Sequence, residues 1–211
     1  YFDYAGGSGG FIDKYCYPFT RGRIFNTIEK DEGQYDDPCK IFWASGTAFL
    51  TKKNIFEKLG GFDETLFAHM EEIDYHWKCQ LLNYEVWVEP QSVVYHHGAS
   101  TLPITSSLKT YLNYRNSLIL LLTNYHFINT IKFFLPRLSM EFLSFIKEIL
   151  FFRWKHALAI IKSWIWIVSH PNYLYQRRQN LKKTHNVNNI YKKSIVVKYF
   201  LMGKKTFSKI V

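Results

Sequence analysis

None of the three cysteines, Cys16, Cys39 and Cys79, forms a C-x-x-C pair. Their wide spacing argues against a disulfide framework or a structural zinc site and fits a reducing interior such as the cytoplasm. Tyr1 to Gly10 lacks the basic start of a signal peptide. With Tyr rather than Met at position 1, the expectation is a fragment of a longer protein. No stretch reaches the ~20 apolar residues of a membrane span. The longest charge-free run, 116–131, contains Asn116, Asn124, His126 and Asn129. The glycine-rich opening "AGGSGGF" is not G-x-G-x-x-G in a strand-to-helix setting, which excludes a dinucleotide fingerprint. No internal repeat occurs. Acidic residues are nearly missing from the second half: residues 106–211 carry 18 Lys/Arg and 2 Asp/Glu, net +16. Residues 1–105 carry 9 Lys/Arg and 15 Asp/Glu, net −6. Two oppositely charged halves predict two roles.

What is present suffices for a folded core, with 47% hydrophobic and 18% aromatic residues. Residues 1–39, punctuated by Gly6-Gly7, Gly9-Gly10, Pro18 and Pro38, read as a long loop with one short helix. "KIFWASGTAFL" (40–50) reads as a buried strand broken near Gly46. Residues 52–59 read as a short helix closed by Gly60-Gly61. A helix follows over 70–82, with Met70, Ile73, Trp77 and Leu81 on one stripe. Residues 84–88 and 92–96 read as strands separated by Pro90. Helices are expected over 107–123 and from about 138 to 168, stopping before Pro171. From Gln176 the chain is rich in Lys, Arg and Asn.

The sharpest chemical feature is "FAHMEEIDYHWK" (67–78). Three carboxylates, Glu71, Glu72 and Asp74, crowd the first turn of a helix. Glu71 and Asp74 share a face, while Glu72 points towards the His76 side. Taken alone, the cluster also fits an acidic turn favoured by the helix dipole, with Asp74 paired to Lys78.

The run "FWASGTAFLTKKNIFEKLGGFDETLFAHMEEIDYHWKCQLLNYEVWVEPQSVVYHHGAST" supplies the context. It closely resembles the C-terminal half of the catalytic domain of family-2 glycosyltransferases of the rhamnosyltransferase-like kind. The resemblance covers about residues 1–125 and includes "YLNYRNSL". Four blocks match in order: the small-residue strand, "GGFDE", the acidic helix start and "VYHHGAST". The resemblance implies an α/β fold, the C-terminal part of a GT-A domain, followed by a mainly helical basic extension. The boundary is expected after residue 125, with 1–125 the acceptor-side half and 126–211 a basic amphipathic tail.

In that family an acidic motif, usually Glu-Asp, supplies the base for the acceptor hydroxyl. Glu71 then takes the Glu position, Glu72 the Asp position, and Asp74 is the later acid. Glu for Asp is a departure that leaves the base open between Glu72 and Asp74. Displacement at an anomeric carbon needs one base and something to hold the leaving diphosphate, and a single base opposite the leaving group implies inversion. His96 and His97 face opposite sides of the expected strand. By resemblance, His96 lies near the diphosphate and its divalent cation (Mg2+ or Mn2+), as donor or metal ligand. Trp43, Ser45 and Gly46 fall on the acceptor side, where small residues let a sugar approach; close strand packing and a core Trp43 are the plain alternatives. The family's metal-binding Asp-x-Asp is absent and is expected upstream of Tyr1. No Gln-x-x-Arg-Trp occurs, which argues against the processive synthases.

Over 137–162, read as one helix, Arg137, Lys147, Lys155 and Lys162 fall within an arc of about 80°. With Phe142, Phe145 and Trp164 they suit an anionic membrane surface. A packed bundle with solvated lysines is the alternative, and no nucleic-acid motif accompanies the charge, so nucleic acid is not expected as a partner. The implied activity is an inverting transfer of a sugar from a nucleotide-sugar donor to a lipid-linked or cell-surface polysaccharide, at the cytoplasmic face of the membrane. The rival reading is a non-catalytic fragment that binds a membrane or a partner.

Overall fold

The computed structural model describes residues 2, 7–95, 106–183, 185, 187 and 189–211. The chain forms two compact units, one of residues 1–62, 72–98 and 184–211, the other of residues 63–71 and 99–183. Both α and β structure is present, as expected.

The first unit holds a small antiparallel sheet, β1 (Gly10–Ile12), β2 (Pro18–Thr20), β3 (Arg23–Ile24) and β4 (Thr27–Ile28), in that order. Phe11 pairs with Phe19 and Ile24 with Thr27. The sequence pattern gave a loop here, because strands of two or three residues are too short for alternation to show. Residues 189–211 pack on this sheet: Ile195 and Ile210 join Phe19 and Ile24 in a buried cluster. Tyr191 exchanges backbone hydrogen bonds with Ile12 and Lys14, and buried Asp13 accepts from the Ile195 N–H at 3.0 Å.

The expected strand over 40–50 is much shorter. Only β5 (Cys39–Lys40) pairs, with β6 (Trp87–Val88), and Trp43 bridges Gly10. The chain then turns at Gly46 and Thr47. Residues 93–95 are exposed and extend no sheet, and the expected strand's end at His96 lies outside the described residues. Helix α1 (Lys53–Lys58) ends as its sequence announces, at Gly60 and Gly61 with φ of +76° and +67°. Helix α2 (Glu71–Leu81) buries Ile73, Tyr75, Trp77 and Leu81. Gln80 holds it to the strand segment by donating to the Phe42 carbonyl at 2.8 Å.

The second unit is helical: α3 (Ser107–Asn124), α4 (Phe127–Leu150), α5 (Trp154–Ser169) and α6 (Pro171–Asn180). The single helix expected beyond residue 137 is therefore two helices. The chain breaks at 151–153, where Phe152 takes a left-handed φ of +56° and the Arg153 N–H returns to the Glu148 carbonyl. The break also removes the continuous basic arc. Arg137 is 2% exposed and paired with Glu141 at 2.7 Å, so it contributes nothing to a surface. Pro171 opens α6 at its first position, where a missing N–H costs no helical bond. Among the described residues, no helix is long and apolar enough to cross a membrane.

Candidate functional site

Helix α2 begins directly with the two adjacent carboxylates Glu71 and Glu72, and its first turn is set by the neighbouring chain. In the first unit, an aromatic cluster backs the helix. Phe49 stacks on Tyr75 at 5.8 Å and meets His76 edge-on at 4.9 Å, while Phe56 and Phe62 pack on Tyr75. Tyr75 OH and Thr51 Oγ1 lie 2.7 Å apart. Burial pushes the Tyr75 phenol up to about 12.

His76 is buried, and its Nδ1 donates to the Glu72 carbonyl at 2.7 Å, which fixes the proton on that nitrogen. Burial pulls its pKa down to about 4, against the smaller upward pull of that bond. The imidazole is a neutral wall beside Glu72, not a charge.

The three candidate acids have different surroundings. Asp74 is 0% exposed and lies 2.8 Å from Lys78 Nζ, the i,i+4 pairing open to it from sequence. Glu71 is half-buried, and burial raises its pKa, opposed by a hydrogen bond from its own backbone. Glu72 is half-buried too, and Gly46 of the turn at 45–47 lies close to its side chain. A methyl built on Gly46 would touch the Glu72 side chain at 3.8–3.9 Å, ordinary contact distance. Glu72 Oε2 is itself shielded from solvent. Ser45 Oγ donates to Thr47 Oγ1 at 3.1 Å and accepts from the Thr47 N–H, closing the turn.

Trp43 is half-buried, its indole N–H donating to the Phe11 carbonyl at 2.8 Å and its ring lying directly over Gly10. A Cβ at Gly10 would fall 2.2 Å from that ring, so only glycine fits. Trp43 thus lies against the sheet edge. His96 and His97 lie outside the described residues. Among the described residues no group of three His, Cys, Asp or Glu converges as metal ligands would.

Within the second unit, α3 and α6 hold the segment 63–69. Asn116 is fully buried in α3, and its two amide hydrogens are shared among the carbonyls of Leu66, Ala68 and His69 at 2.7–3.0 Å. Arg115 donates to the carbonyls of Thr65 and Leu66, and its Nε donates to Asn116 Oδ1 at 2.9 Å. The segment held this way is the one that leads into Glu71. Asp63, from "GGFDE", caps the turn Glu64–Leu66 and accepts from Arg177 Nε at 2.9 Å and Tyr173 OH at 3.1 Å. Asn116, a poor helix former inside a leucine-rich helix, is the residue in the sequence that pointed to such a polar role.

Comparison with known proteins gives a partial answer. Two relatives, the N-acetylglucosaminyl-diphospho-decaprenol L-rhamnosyltransferases of two Mycobacterium tuberculosis strains, are 28% identical to this chain over 82 residues. The match covers 39% of this chain and 27% of each relative. The chain is a partial homologue of glycosyltransferases. No family model and no solved structure matches it.

Proposed function

We propose that this chain is the acceptor-side part of a family-2, GT-A-type inverting glycosyltransferase, with Glu72 as the base. The observation that carries the reading is the approach of the Gly46 turn to the Glu72 side chain, in a chain with partial similarity to rhamnosyltransferases. Of the two acids left open by sequence, Asp74 is buried against Lys78, which favours Glu72.

In this reaction the Glu72 carboxylate accepts the proton of an acceptor hydroxyl as its oxygen attacks the anomeric carbon. The bond from that carbon to the nucleotide diphosphate breaks, and the diphosphate leaves with the bonding pair. Attack opposite the leaving group inverts the centre. The neutral His76 ring and the aromatic cluster hold the base in place without adding a competing charge. Ser45 and Gly46 form the acceptor side of the site. Among the described residues no three His, Cys, Asp or Glu converge as ligands for Mg2+ or Mn2+. His96 is the residue of this chain proposed towards the diphosphate. The acceptor class is a lipid-linked or cell-surface glycan, in line with the lipid-diphosphate acceptor in the relatives' name.

The test is sugar transfer by the full-length protein from a panel of nucleotide sugars to a polyprenyl-diphosphate-linked acceptor. Transfer from one donor with inverted product supports the proposal. Hydrolysis or transfer from none of them contradicts it.

A further inference from the structure

The polarity of α4 runs opposite to that of a helix in water. Its buried side chains are all polar: Thr130, Arg137, Glu141 and Glu148. Arg137 pairs with Glu141 and donates to Ser117 Oγ at 2.6 Å; Glu141 also accepts from Trp164 Nε1 at 2.6 Å. Glu148 pairs with Arg153 at 3.0 Å. On the other side Ile128, Ile131, Leu135, Phe142, Leu143 and Leu150 are each more than half exposed. At 100° per residue these six fall within an arc of about 120°, along a helix of about 36 Å. The stripe ends in the exposed aromatic turn of Phe151, Phe152 and Trp154. A helix packed on a core in water shows the reverse, and an apolar surface this long marks an interaction site.

We infer that this face of α4, with the turn at 151–154, seats the helical unit in the interface of an anionic lipid bilayer. Charge selects the occupant. Lys132 lies inside the apolar arc, Lys147 at its flank and Lys155 just beyond the turn, and all three are exposed. The two acids of residues 106–211, Glu141 and Glu148, are both turned inward. Lysine stems lie along apolar surface while their ammonium groups reach lipid phosphates, so lysines within the stripe suit a bilayer. A second copy would set these lysines against one another with no carboxylate on either face. The unit lies on the bilayer and does not cross it, since no described helix is apolar enough to span. The inference does not depend on the glycosyltransferase reading.

Co-sedimentation of the full chain with phosphatidylcholine vesicles, with and without about one-third phosphatidylglycerol, tests it without any sugar substrate. Binding to the anionic vesicles is expected, with a salt-resistant remainder from the apolar stripe. Leu135→Asp with Phe142→Asp, both at exposed positions, should weaken binding at least tenfold while circular dichroism stays unchanged. Lys132→Gln, Lys147→Gln and Lys155→Gln should remove up to about fivefold each on anionic vesicles only, the equivalent of roughly 1 kcal/mol per basic residue. Failure of the wild type to sediment, or binding by the double aspartate variant equal to that of the wild type, overturns the inference. A concentration-dependent dimer abolished by the aspartates, with no vesicle binding, overturns it in favour of a second copy. Glu72→Gln should bind vesicles like the wild type, which separates this result from the catalytic one.

Discussion

Asn116, buried in α3, donates to the His69 carbonyl at 2.7 Å, and His69 has a left-handed φ of +64°. Phe67 and Met70 beside it are also left-handed, at +60° and +75°. Each such residue costs roughly 1–2 kcal/mol, so the segment keeps its shape only while it is held from outside. The carbonyl bonds from Asn116 and Arg115 are what hold it.

Asn116→Ala should therefore lower stability by about 2–4 kcal/mol, because buried carbonyls lose their donor. Asn116→Asp should cost more, since it points a carboxylate at three carbonyl oxygens. Urea unfolding midpoints rank the two variants, and equal stability of Asp and wild type would refute the clamp.

The Asp63–Arg177 pair makes a second, separable prediction. Both side chains are largely buried, and Arg177 also donates to Asn124 Oδ1 at 2.7 Å. Removing Asp63 alone should cost about 3–5 kcal/mol by leaving a buried guanidinium uncompensated. Asp63→Leu combined with Arg177→Met should cost clearly less than the sum of the single changes. Additive losses in that double-mutant cycle would show that the two residues are not coupled.

His76 predicts an acid-dependent loss of stability. Its pKa falls from about 6.5 unfolded to about 4 folded, so between those values only the unfolded chain binds the proton. Stability is fully present above pH 6.5 and declines as pH falls towards 4, by up to about 3 kcal/mol. His76→Gln, which cannot titrate, should flatten this part of the stability–pH curve. An unchanged slope in that variant would assign the acid sensitivity elsewhere.

The thiols should differ in reactivity. Burial pushes the Cys79 thiol up to about 11, and Cys16 is fully buried, whereas Cys39 is partly exposed. Alkylation of the native protein at pH 8, read by mass spectrometry, should label Cys39 first. Early labelling of Cys79 would contradict its buried, protonated state.

The parts legible in the sequence were those with a full period or a cap. Helix α2 was read from its apolar stripe and α1 from Gly60-Gly61 to within a residue or two. The β1–β4 sheet was hidden because its strands are two or three residues long. The break between α4 and α5 was hidden because Phe151 and Phe152 continue the apolar pattern, and only the Arg153 N–H returning to Glu148 stops the helix. Arg137 looked like surface charge because its partners Glu141 and Ser117 sit one turn along and 20 residues earlier. Around the acidic turn, residue types and spacing revealed Glu71, Glu72 and Asp74 as a cluster. The Asp74–Lys78 pair was legible too, at i,i+4 on one helix, whereas the approach of Gly46 to Glu72 exists only in the folded chain.

The central claim, that Glu72 is the base, is tested most directly by comparing turnover in two variants of the full-length protein. Glu72→Gln should lower turnover by at least about 10²-fold, the scale of general-base catalysis, with unchanged stability. Asp74→Asn should lose stability through the broken Lys78 pair, yet keep turnover per folded molecule within a few-fold. Near-normal turnover in Glu72→Gln, with Asp74→Asn folded and inactive, would contradict the account and move the base to Asp74.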